Sequence, residues 1–148
     1  MAADEFDKVE LPAIEQLQSL GWNYVKGEDL SPEKSSERSS FKEVVLEQRL
    51  SANIKRINPW INDQNLHKVV KDLTKTQYTN LIEANQAIWT ILNECVSVMQ
   101  DLGKGNKGQT VHIIDFENPD NNEFLCTNQF KVSGVNQNII PDIILFVN

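Results

Sequence analysis

IIPDIILFV, residues 139–147, is the longest apolar run in the chain, broken only by Pro141 and Asp142. It falls far short of the roughly 20 residues that cross a bilayer, and the turn-rich GVNQN at 134–138 leads into it. A continuous apolar run of this length after a turn signal is expected to form a strand buried on both faces. Upstream, residues 109–116 and 123–133 alternate apolar and polar side chains around NPDNN at 118–122. Alternation on either side of a cluster of Asn, Asp and Pro predicts a β-hairpin. Strand periodicity therefore governs residues 96–148, and helical periodicity governs most of what precedes them.

In that earlier part, Ser40 followed by Glu43 has capping-box spacing, so a helix is expected to start at Phe41. Its buried face would carry Phe41, Val44, Val45, Leu50 and Ile54, with Ile57 behind, and it would end before Pro59. Leu66, Val69, Val70 and Leu73 recur at i, i+3, i+4 and i+7 after a cap at Asn62 or Asp63, and a third helix carries Leu81, Ile82, Ile88, Trp89 and Leu92. Closer to the start, Val9, Leu11, Ile14, Leu17 and Leu20 approach helical spacing, with Pro12 tolerated in the first turn and Gly21 as the stop. These stripes are expected to face the core. Residues 22–25 suit a short strand, and residues 26–40, rich in Gly, Ser, Pro, Glu and Lys, a loop or mobile linker. The resulting fold class is α/β or α+β, a mixed sheet flanked by helices, with residues 1–148 as one domain that is helical to 94 and stranded from 96. A chain that ends in its most apolar strand is expected to be a fragment, incomplete at its C-terminus.

Length and charge agree with one soluble domain: 148 residues, 14 Lys and Arg against 21 Asp and Glu, formal charge −7. That acidic balance lacks the basic patch with which a protein grips DNA by itself, so a nucleic-acid substrate would have to be brought by other parts. Cys95 and Cys126 lie far apart without a CxxC or a Cys/His cluster and are expected to be small buried apolar residues. Residues 1–10 carry acids and no apolar segment, which predicts neither secretory signal nor transit peptide, no membrane association, and a cytoplasmic location.

Few residues suggest chemistry. Gly103, Gly105 and Gly108 spell GxGxxG, but strand-like residues follow where a dinucleotide fingerprint needs a helix N-terminus, so a flexible turn is expected rather than a phosphate cradle. A small nucleotide-binding protein using Gly103 to Gly108 is the corresponding rival function. His67 and His112 have no sequence neighbours that complete a triad or a zinc site; His67 is expected on a helix surface and His112 on a sheet face. Asp142 stands at the mouth of the apolar strand, where a lone carboxylate is costly unless it is paired or binds a cation, although Pro141 and Asp142 together also read as a turn signal. Glu10 is a second acid among apolar residues. It suits either the N-terminus of a helix or one half of a two-carboxylate magnesium site.

Several segments together carry a family likeness. VELPAIEQL at 9–17 with Leu20, Gly21 and Trp22, SFKEVVLE at 40–47, EAN at 83–85, IDFENP at 114–119, NNEF at 121–124, QF at 129–130 and PDIILFVN at 141–148 resemble the opening of the restriction (R) subunit of type I restriction-modification enzymes. The likeness covers nearly the whole chain.

The resemblance implies a nuclease domain of the PD-(D/E)xK class, with Asp142 as the first acid and Glu10 as the helix acid, Glu15 being a less well placed alternative. Both would be catalytic and would hold Mg2+. The Glu-x-Lys half of that pattern, expected on a strand after Asn148, is missing from these residues, so the fragment is expected not to cleave DNA alone. It further implies a parent that cuts double-stranded DNA in a complex with methyltransferase and specificity subunits, using ATP only in motor domains that lie outside this sequence. The rival implication is a non-catalytic, nuclease-like assembly module that docks to partner subunits, with Asp142 merely structural.

Overall fold

The computed structural model describes residues 5–74 and 79–148, so the opening four residues, part of the segment expected to lack a leader, lie outside the described residues. The fold is mixed α/β, as expected. The one domain expected from length divides into two compact units, one formed by the residues before Glu47 together with Glu123–Val147, the other by Glu47–Asn122 with Asn148.

The first unit is built on a three-stranded sheet of β1 (Asn23–Lys26), β4 (Phe124–Asn128) and β7 (Ile143–Val147), in the order β1-β4-β7. β4 runs parallel to β1 and antiparallel to β7, and a parallel pair needs a long crossover, here the chain that forms the second unit. A wide π-type turn, Phe6–Glu10, leads into helix α1 (Leu11–Ser19). A short ladder of β5 (Val132–Ser133) with β6 (Asn138–Ile139) completes the unit. Leu30, Leu46, Leu125 and Phe130 form its core, with Val25, Val132, Ile144 and Phe146 packed against them.

Position in the sheet overturns the reading of residues 139–147. β7 is an edge strand, and Ile139, Ile140, Leu145 and Val147 are exposed. The strand buried in the middle is β4, whose Leu125, Cys126, Thr127 and Asn128 are all buried despite two polar members. The expected hairpin between 109–116 and 123–133 is also corrected, because β4 pairs with β1 and β7 instead. Periodicity marks a strand but not its partner.

Arg38 explains two further departures. It is buried, stacks 3.9 Å from the Phe130 ring centroid, and donates from Nε to the Glu43 carbonyl and from Nη2 to the Phe41 and Lys131 carbonyls. The Phe41 carbonyl also accepts from the Ser133 amide. Carbonyls that a helix from Phe41 would use are thus taken, so α2 spans Glu47–Ile57 and Val44 and Val45 are exposed. The supposed linker at 26–40 is a loop that packs, contributing a 3₁₀ turn at Gly27–Leu30 and the buried side chains of Leu30, Ser31 and Arg38. Of the expected stripe, Ile14 is buried and Leu17 half-buried, while Val9, Leu11 and Leu20 face outward, and the buried side is the one that Glu10 shares.

The second unit packs α2, α3 (Asp63–Thr74) and α4 (Leu81–Glu94) with the hairpin of β2 (Val96–Asp101) and β3 (Asn106–Val111). Asn62 caps α3 by accepting from the Asn65 amide at 2.8 Å, and Val69 and Val70 are buried as their spacing requires. Ile54, Ile61, Val69 and Val111 anchor a continuous apolar core, each such side chain contributing about 1.5–3 kcal/mol by leaving water. α4 departs from expectation. Ile91 and Leu92 pack on the core, but Leu81, Ile82 and Trp89 are exposed. The glycine-rich segment is the hairpin turn: Gly103 and Gly105 adopt φ of 93° and 84°, and the Asp101 carboxylate accepts from both of their amides. Among the described residues no helix is long and apolar enough to cross a membrane.

Candidate active site

Two carboxylates far apart in sequence meet at the end of β4. Glu10 leaves the π-type turn just before α1 and is buried to 2% exposure. Its Oε2 accepts from Asn128 Nδ2 at 3.2 Å and its Oε1 from Gln129 Nε2 at 3.0 Å. The same Gln129 nitrogen lies 3.5 Å from Asp142 Oδ1, a long contact, and the Gln129 amide donates to the Asp142 carbonyl at 3.1 Å. Asp142 itself is exposed, immediately before β7.

The order of burial is therefore the reverse of what the sequence suggested. The apolar surroundings of Asp142 pointed to a buried acid, but β7 is an edge strand and Asp142, just before it, meets solvent. The acid withdrawn from water is Glu10, held by neutral amides, and a carboxylate so buried is costly without a cation nearby. Glu10 does stand at the N-terminus of α1, as the helix reading required, but it is buried there. Glu15 is exposed on α1.

Behind Glu10 the network continues. Tyr24 Oη on β1 donates to Asn128 Oδ1 at 2.8 Å, which turns the Asn128 amide nitrogen toward Glu10. Burial, then the neighbouring Cys126, Glu10 and Asp29, raises the Tyr24 phenol above its ordinary range, so it remains a donor at neutral pH. Thr127 Oγ1, fully buried beside Asn128 in the chain, has no hydrogen-bond partner among the described residues. Tyr24, Asn128 and Gln129 escaped the sequence reading; the one available signal, consecutive amides after an alternating strand, is too common to single out.

Gly27 sets the approach of β1 to β4. A Cβ there would lie 2.2 Å from the Asn128 carbonyl oxygen and 2.8 Å from the Gln129 carbonyl carbon, so only glycine fits. Gln129 adopts φ of 52°, a left-handed conformation uncommon for a residue with a side chain.

The donor set suits a hard cation that needs few protein oxygens. Magnesium is commonly held by one or two carboxylates plus waters and phosphate oxygens, and Glu10 and Asp142 supply that number. Among the described residues no group of three or more His, Cys, Asp or Glu could hold a metal, which leaves no closed protein cage of the zinc type.

The remaining candidates lie in the second unit. His67 is exposed on α3. His112 is exposed, but its Nδ1 lies 3.3 Å from Cys95 Sγ, a neighbour that sequence distance concealed. Cys95 is only partly buried, against expectation, whereas Cys126 is fully buried and its thiol is pushed up by that burial. The segment 115–122 forms a self-capped loop. Asp115 accepts from the Glu117 and Asn118 amides and from Asn121 Nδ2, and buried Asn122 accepts from the Asp115 amide and donates to the Asp115 and Pro119 carbonyls. The IDFENP block of the family likeness thus has a structural task.

Comparison with known proteins agrees with the likeness read from the sequence. Residues 3–148 match the family described as type I restriction enzyme R protein N terminus. The chain is 34% identical over 143 residues to the putative type I restriction enzyme MjaIXP endonuclease subunit of Methanocaldococcus jannaschii, and 33% identical over 142 residues to the type I restriction enzyme HindI endonuclease subunit of Haemophilus influenzae. Each match takes in 95% of this chain but 14% of the relative's length. The chain belongs to the family of type I restriction enzyme R protein N-terminal regions.

Proposed function

We propose that this chain supplies the first carboxylates of a magnesium-dependent nuclease site in the endonuclease subunit of a type I restriction enzyme. Asp142 and Glu10 would hold the cation. When bound, Mg2+ would polarise the scissile phosphate and lower the pKa of a bound water. Asn128 and Gln129 keep Glu10 aimed toward Asp142, and Tyr24 keeps Asn128 in the donating orientation. A Glu-x-Lys strand beyond Asn148 would provide the remaining acid and the positive charge facing the transition state. The substrate would be double-stranded DNA presented by the rest of the enzyme, together with methyltransferase and specificity subunits and ATP-driven motor domains. This division of labour accommodates a net charge of −7.

The observation that carries this reading is the convergence of Glu10 and Asp142 on one amide nitrogen. Residues 1–148 alone are expected to leave supercoiled plasmid intact with magnesium, and nicking that Asp142→Ala abolishes would contradict this. In the complete subunit, Asp142→Ala and Glu10→Ala are each expected to lower cleavage by at least about a hundredfold, the scale of losing electrostatic stabilisation at a reacting centre. Cleavage unchanged in both variants would sink the proposal.

Exposed Leu81, Ile82 and Trp89 on α4 favour a second reading, a nuclease-like module that docks to partner subunits. Partner binding that survives in Asp142→Ala, with magnesium leaving the unfolding temperature unchanged, would select it.

A further inference from the structure

The Gln129 side chain reaches both acids of the candidate site. Its orientation is chemically determined. Both neighbours are carboxylates, which only accept when ionised, so the amide nitrogen and not the oxygen must face them. One N–H can serve Glu10 at 3.0 Å while the other points along the longer 3.5 Å contact to Asp142. A neutral amide thus stands between two like charges whose repulsion would otherwise drive them apart.

The backbone beneath this side chain is held from two sides. Gly27 packs directly on the peptide joining Asn128 to Gln129, and the Gln129 amide is bonded to the Asp142 carbonyl. The left-handed conformation of Gln129 is the result, a strained state that persists only where its surroundings enforce it. The grip on the two acids is uneven. Glu10 is buried and firmly bonded, whereas exposed Asp142 sits on a long contact and can turn its oxygen toward an arriving ion.

We propose that Gln129 is a positioning residue for the divalent cation, holding the Glu10 and Asp142 carboxylates together before the ion arrives. The inference rests on the metal-dependent reading above and extends it to a residue outside the acid set. Outer partners that orient metal ligands are commonly worth ten- to a hundredfold in affinity.

The test is Mn2+ binding to the full chain by calorimetry, with unfolding temperatures in ion-free buffer measured alongside. Wild-type protein is expected to bind, Glu10→Ala and Asp142→Ala to lose binding, and Gln129→Ala to bind about tenfold more weakly. Gln129→Glu exchanges the amide for a third carboxylate and is expected to unfold earlier without metal and to be stabilised by Mn2+ more than the wild type. A merely structural Gln129 would lower the unfolding temperature of Gln129→Ala and leave its Mn2+ affinity untouched. That result, with Asp142→Ala still unable to bind, overturns the inference and spares the metal-dependent reading. Absence of Mn2+ binding in the wild type, or full binding in both acid variants, overturns both. Should Gln129→Ala fail to fold, Gln129→Glu decides alone, and equal Mn2+ stabilisation in it and the wild type overturns the inference.

Discussion

The two units bury polar groups in opposite ways. In the second unit the buried polar side chains tie loops to strands and are neutral: Asn58 donates to the Ile54 and His112 carbonyls and accepts from the His112 amide, while Gln100 joins Trp60, Asn62 and Asn65. In the first unit the buried groups include Glu10 and Arg38, both of charged type, and among the described residues Arg38 Nη1 and Thr127 Oγ1 lack partners. Neutral amides satisfied by backbone stabilise a fold, whereas a buried charge surrounded by neutral donors costs stability and calls for a function. The contrast separates the part of the chain whose buried polar groups are neutral from the part that carries the candidate site.

The sharpest way to break this comparison is to exchange the two kinds of residue. Asn58→Ala leaves the His112 amide and carbonyl without their side-chain partner and is expected to cost about 3 kcal/mol, measured by urea denaturation. A loss under about 1 kcal/mol would mean that the second unit does not depend on its amides. Glu10→Gln removes the buried charge but sets its own amide nitrogen against one of the two donors, so it is expected to stay within about 1 kcal/mol of wild-type stability in ion-free buffer while cancelling any magnesium-linked gain in unfolding temperature. A large loss would place Glu10 among the structural residues and erase the distinction.

A finer effect lies in the 115–122 loop. Hydrogen bonds from Asn121, Asn118 and Glu117, and the charge of His112, hold the Asp115 carboxyl below its ordinary range. A depressed folded-state pKa contributes stability that is present above the unfolded carboxylate pKa and disappears as pH falls through the lower folded value. Asp115→Asn is therefore expected to be less stable than wild type at neutral pH, with the gap closing on acidification. A gap that stays constant across that range would show that the loop does not depend on this charge.

Local features were the legible ones. The Asn62 cap, the Val69 and Val70 pair and the glycine turn are all set by neighbours within a few residues. Asp142 and Glu10 could be singled out because acids in apolar surroundings demand an explanation, and the family likeness aligned them. What stayed hidden depends on distant partners. Nothing near Phe41 announces that Arg38 and Ser133 will claim its carbonyl, and nothing in the apolar run at 139–147 reveals that β4 will occupy the middle of the sheet. Burial of Glu10 was illegible for the same reason, since Asn128 and Gln129 arrive from the far end of the chain.

The parallel pairing of β1 with β4 also dictates a schedule. Asn23 stands opposite Leu125, so closing this ladder spans roughly a hundred residues, an entropic cost that local contacts do not carry. During synthesis Glu47–Asn122 is complete before β4 exists, and its core of local helices and one hairpin can condense while β1 still waits for a neighbour. Glu10 stays hydrated through that interval, and its desolvation is deferred until Gln129 and then Asp142 emerge. On this schedule the carboxylate pair is expected to assemble last among these residues, and a chain stalled short of β7 would lack the candidate site.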